Sequence, residues 1–125
     1  VDNTLYISGQ VGRDENLQVV HGIEAQFVQA FENVKKVLTA AGATFDDVVE
    51  MITYHVTGEA LNYIQDDLLK ASDQQQMAIP YLPLFMQVKD RYFVNKFPTW
   101  TGFGVTTLST RGLIIEIKCT AVLPN

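Results

Sequence analysis

The sequence is short of nearly everything that marks a specialised chemistry. A single cysteine, Cys119, stands among 125 residues, so no intrachain disulfide can form, and no CxxC or Cys/His cluster is present to hold structural zinc. That usage suits a reducing compartment, and a cytoplasmic location is expected. Basic residues are scarce as well: nine Lys and Arg face 14 Asp and Glu, for a net charge of −5. With no basic stripe to neutralise phosphates, neither nucleic acid nor an anionic membrane surface is expected as a partner. Long apolar runs are missing too. The longest, Ala78 to Met86, is interrupted by Pro80 and Pro83, which excludes a spanning helix there. No basic-then-apolar leader opens the chain, although a start at Val1 without methionine is read as truncated. The phosphate-loop, dinucleotide, GxSxG and HExxH patterns are all missing, so no cofactor and no metal are expected.

What is present is enough for one core. Hydrophobic residues make up 47% of the chain, and the length suits a single domain over 1–125. Thr4 to Val11 (TLYISGQV) is β-branched and aromatic and follows the turn signal Asp2-Asn3, which predicts a strand. Gly9 interrupts that strand, as expected of a bulge or a close approach to the backbone. From Ile23 the period changes: Phe27, Ala30, Phe31, Val34 and Leu38 recur at three and four residues and Gly42 supplies a stop, predicting an amphipathic helix. Val48 to Val56 reads as a buried strand. Leu84 to Phe93 reads as a second helix, with Lys89, Asp90 and Arg91 on its polar side. Residues 57–83 are expected to form an irregular insertion, within which Leu61 to Lys70 is helix-like. Trp100 to Leu108 and Leu113 to Val122 flank Ser109-Thr-Arg-Gly112, the spacing of two strands joined by a tight turn.

The resulting order, β, α, β, α, β, β, predicts an α+β fold with two helices on one face of a mixed sheet. In the last strand Leu113, Ile115, Ile117, Cys119 and Ala121 alternate with Ile114, Glu116, Lys118, Thr120 and Val122. Apolar residues on both alternations imply that a partner subunit covers the second face.

Several segments then occur in a recognisable order: Tyr6-Ile-Ser-Gly-Gln10, Phe31-Glu-Asn-Val-Lys35, Ala40-Ala-Gly42, Phe97-Pro98, and Ile115-Glu-Ile117 with Ala121-Val122. Together they resemble the RidA/YjgF family, the reactive-intermediate deaminases also labelled L-PSP endoribonucleases. The likeness covers nearly the whole chain outside 57–83. It implies a chorismate-mutase-like domain assembled as a homotrimeric barrel, with ligand clefts at the subunit interfaces. It also implies a hydrolase acting on C=N bonds, which turns a reactive enamine or imine into a carbonyl compound and ammonia. In that family a glutamate of the final strand positions the attacking water and an arginine shortly after Phe-Pro binds the substrate carboxylate. The glutamate falls on Glu116. The arginine position falls on Trp100, and a cysteine usual two residues later falls on Gly102. An N-terminal tyrosine that lines the cleft in the family has no counterpart.

An indole cannot hold a carboxylate as a guanidinium does; it offers one N–H and a flat face. A ligand class other than the family's is therefore expected, or a non-catalytic role in small-ligand binding or protein stabilisation. Glu116 reads either as the water-holding carboxylate or as a strand residue paired with Lys118. Trp100 lines the cleft or packs an interface. Ser8 and Gly9 form a pocket wall by resemblance, or a plain bulge. Thr101 adds a hydroxyl beside Trp100, or is an ordinary strand residue. Cys119 reads as a small buried hydrophobe, and His21 and His55 as structural histidines. Ribonuclease activity rests on a family label alone, and the acidic charge opposes it.

Overall fold

The computed structural model describes residues 3–63 and 78–124. Strand β1 (Thr4–Val11) leads through a polar loop into helix α1 (Ile23–Ala40), followed by β2 (Val48–Val56), a 3-10 segment (Gly58–Tyr63), helix α2 (Leu82–Asp90), β3 (Thr99–Val105) and β4 (Ile115–Val122). The four strands form one sheet in the order β1-β4-β2-β3. β4 runs antiparallel to both β1 and β2, and β3 runs parallel to β2. The α+β class and mixed sheet expected from sequence are those observed.

Local chemistry explains most boundaries. At the end of α1, Gly42 takes φ +78, with its N–H on the Thr39 carbonyl while the Ala43 N–H reaches Leu38. This is the left-handed closure that a glycine supplies at least steric cost. The apolar stripe of α1 packs its Phe27, Phe31, Val34 and Leu38 against the sheet face carrying Met51, Ile115, Ile117, Cys119 and Ala121. α2 begins two residues earlier than the periodicity suggests, with Pro83 in its first turn, where a missing N–H costs nothing.

One expectation is corrected. The Ser109–Gly112 turn exists, with the Leu113 N–H on the Thr110 carbonyl and Gly112 at φ +98, but it does not make a hairpin. β4 lies between β1 and β2, two places away from β3. The strict alternation of β4 suits a strand paired along both edges, whereas β3, rich in glycine and exposed, suits an edge. The long 57–98 connection through α2 supplies the crossover that a parallel pair needs. The irregular insertion expected at 57–83 is observed only at its ends: the helix-like Leu61 to Lys70 lies largely outside the described residues. Among the described residues no helix is long and apolar enough to cross a membrane.

Candidate functional site

The six residues singled out by sequence fall on two faces of the sheet. Glu116 lies on the face turned away from the helices, because its neighbours Ile115 and Ile117 are buried in the core. Beside it the β1/β4 register slips between Ile7 and Gln10. Ser8 and Gly9 are the residues of that bulge, and both are exposed. A Cβ placed on Gly9 would stand 2.5 Å from both Cδ and Oε2 of Glu116. The carboxyl group thus lies directly over the backbone at Gly9, in space that only glycine leaves open. Among the described residues Glu116 makes no ion pair, so the alternative of a Lys118 partner is not realised. Thr101 shares this face, two strands across, opposite Ile52 and, through it, Lys118.

Trp100 and Gly102 face the other way. The Trp100 Nε1–H donates to Thr53 Oγ1 at 2.9 Å, and Thr53 Oγ1 lies 2.7 Å from His55 Nε2. The Trp100 ring stands 5.8 Å from that of Phe85 on α2, and Lys89 Nζ sits 4.9 Å above the indole. Gly102 continues the same face; a Cβ there would stand 3.2 Å from the Thr53 hydroxyl and 3.6 Å from the His55 ring, both of which are buried. The one N–H that Trp100 offers is therefore already engaged. What remains is its ring face, and a cation already lies over it. Sequence reading missed Lys89, Thr53 and His55 as neighbours of Trp100; the only available signal was that Phe85 and Lys89 share one side of a helix at i, i+4.

Burial lowers the His55 pKa from 6.5 to about 4. The arrangement that satisfies all three groups has Thr53 accepting from Trp100 and donating to an unprotonated His55 Nε2, which agrees with a neutral ring. Since the folded value lies below the unfolded one, this stabilisation is complete above pH 6.5 and is lost as pH falls toward 4. The difference amounts to roughly 3 kcal/mol. Urea unfolding at pH 7 and pH 4 should show that loss in the wild type and a smaller one in His55→Gln. Superimposable pH dependences would refute the assignment. Burial also pushes the Cys119 thiol up to about 12. It stays protonated, as a packed and unreactive hydrophobe does.

Comparison with known proteins gives one consistent picture. Residues 1–123 match the family model described as Endoribonuclease L-PSP. RutC family protein YjgH of Escherichia coli is 33% identical over 122 residues, covering 97% of this chain and 76% of the relative. A 2-iminobutanoate/2-iminopropanoate deaminase of Dermatophagoides farinae is 43% identical over 125 residues, covering 98% and 80%. The crystal structure of RidA from the Antarctic bacterium Psychrobacter sp. PAMC 21119 superposes with a TM-score of 0.76 at 26% identity, covering 98% of this chain and 83% of that one.

Proposed function

The chain belongs to the endoribonuclease L-PSP family, the RidA/YjgF proteins, and from that premise we propose that it hydrolyses a reactive enamine or imine in a cleft between subunits of a homotrimer. The observation that carries the reading is the Glu116 carboxyl group lying over Gly9 on an exposed sheet face, without an ion-pair partner among the described residues. A carboxylate so placed accepts a proton from water as the oxygen attacks the imine carbon. The proton taken by the carboxylate passes to the nitrogen to give the carbinolamine. This then collapses: the hydroxyl loses its proton through the carboxylate to the leaving nitrogen as the C–N bond breaks, and a carbonyl compound and ammonia are released. No cofactor enters this scheme, and the reducing cytoplasm is its natural setting.

The interfacial location is supported by two features. Tyr6 (72% exposed), Phe103 (49%) and Val122 (45%) crowd the sheet face that carries Glu116, and burying them favours association. Trp100 and Glu116 sit on opposite faces of one sheet with β2 between their strands. A single cleft using both must draw them from different subunits.

A second reading, ligand binding without turnover, is favoured by Trp100 itself. With its N–H committed to Thr53, it gives a carboxylate nothing to bond; Lys89 above its ring is the cation on hand. Ammonia release from 2-iminobutanoate generated in situ separates the readings. The deaminase reading expects acceleration by the wild type, and Lys89→Met should raise KM about tenfold by removing one charge-assisted contact. An inert wild type that gains activity on Trp100→Arg would identify the missing cation as the reason, and saturable ligand binding by that wild type without turnover would establish the binding role.

A further inference from the structure

A polar cavity lies at the end of the sheet, between β2 and the 106–114 connection. It measures about 340 Å³, and Thr107, Ser109, Thr110 and Arg111 supply its polar wall. None of the six residues discussed above lines it. The size lies at the lower end of the range for small-molecule sites.

Its walls are held in place by two amides of α1, Gln26, which is buried, and Asn33, which is half-buried. Gln26, 2% exposed, donates from Nε2 to the carbonyls of Val20 at 3.2 Å and Gly112 at 2.9 Å, and accepts at Oε1 from the Ile114 N–H at 2.6 Å. One side chain thereby fixes both the loop after β1 and the entry to β4. Asn33 Nδ2 donates to the carbonyls of Val11 and Arg13, each at 2.8 Å. Arg13 is further pinned by a bridge to Val19. From this fixed backbone the Arg13 guanidinium reaches across to donate to the Thr110 hydroxyl on the cavity wall. The fully bonded Gln26 amide at the centre of this network holds the local geometry rigid.

Arg13 is the unexplained part. In a chain of net charge −5, no carboxylate pairs with it among the described residues; a hydroxyl is the group it touches. A planar guanidinium has five donors, and a single hydroxyl takes up one. Arg13 is not itself a lining residue of the cavity; its contact with Thr110 places it next to a wall that also carries Thr107, Ser109 and Arg111, and a guanidinium so placed matches an acceptor-rich anion. A carboxylate presents two oxygens to such a wall, whereas a phosphate group presents three or four.

We propose that this cavity is a second ligand site, which takes the phosphate group of inorganic phosphate or of a small phosphomonoester through Arg13 and the Ser109 and Thr110 hydroxyls. The test is a two-dimensional ¹⁵N–¹H NMR titration of the full chain with inorganic phosphate, glycerol 3-phosphate and acetate, at constant ionic strength set by sodium chloride. Saturable shifts confined to residues 106–114 and the surroundings of Arg13 are expected with one or both phosphates, the tighter of the two identifying the source. Affinity should fall about tenfold or more in Arg13→Gln and measurably in Ser109→Ala, which leaves the guanidinium in place. Arg91→Gln, which removes an exposed arginine paired with Glu24 at 3.3 Å, should leave it unchanged. Shifts that do not saturate, that map elsewhere, that persist at equal affinity in Arg13→Gln, or that acetate produces as tightly as phosphate would each overturn the proposal.

Discussion

Glu116→Gln is expected to lower ammonia release about 10²- to 10⁴-fold, the range that loss of a positioned general base produces, while ligand binding persists. The substitution keeps the shape of the side chain and removes its capacity to take a proton from water. Gly9→Ala is the sharper companion. Its new Cβ would stand 2.5 Å from the Glu116 carboxyl carbon, so the carboxyl group must swing aside. That group is the free end of a flexible side chain, and Gly9 is not among the glycines at positive φ, so the fold should tolerate the change. The expected result is wild-type thermal stability with turnover reduced in kcat far more than in KM. If Gly9→Ala turns over as fast as the wild type, the position of the carboxylate over β1 is irrelevant to catalysis. If Glu116→Gln also retains full rate, the carboxylate has no role as a base.

The parts of the fold readable from sequence are those fixed by near neighbours. β1, α1 and β2 end where the alternation, the 3.6-residue period and Gly42 say they should, because each boundary depends on residues within one or two turns. Which strand pairs with which is a different matter. The Ser109–Gly112 turn looks like a hairpin locally, yet the inside position of β4 between β1 and β2 is decided by the burial of Ile115, Ile117, Cys119 and Ala121 beneath α1. The same limit applies to the site. Gly9 is visible as an odd residue in a strand, but its reason, the Glu116 carboxyl group 107 positions later, is not. The substitution at Trp100 is legible; its bond to Thr53 and its opposite facing from Glu116 follow from sheet order alone. Gln26 reads as a polar residue on an amphipathic helix, and only the assembled fold shows it buried and bonded to Gly112 and Ile114.

Phe31→Ala should be the most damaging single truncation in the core, costing about 3 to 5 kcal/mol. Phe31 is fully buried and lies at the centre of an aromatic cluster. Its ring stacks on Tyr92 with centroids 4.9 Å apart and on Phe85 at 5.4 Å, and meets Phe93 edge-on at 6.3 Å. Removing it forfeits the transfer free energy of the ring and leaves a cavity whose walls come from two helices and the loop after α2, which cannot all close in at once. Val94→Ala, at a site 67% exposed, should change stability by no more than about 0.5 kcal/mol. Both are to be compared by urea unfolding at one protein concentration, since association adds to apparent stability. The cluster also reaches the site: Phe31 packs on Phe85, Phe85 on Trp100, and Lys89 lies one turn further along the same helix over that indole. Loosening α2 should therefore weaken ligand binding at Trp100 before it affects Glu116, whose strand is held on both edges. A Phe31→Ala protein that loses less than about 1 kcal/mol would show that the aromatic cluster is too loosely packed to position α2 at all.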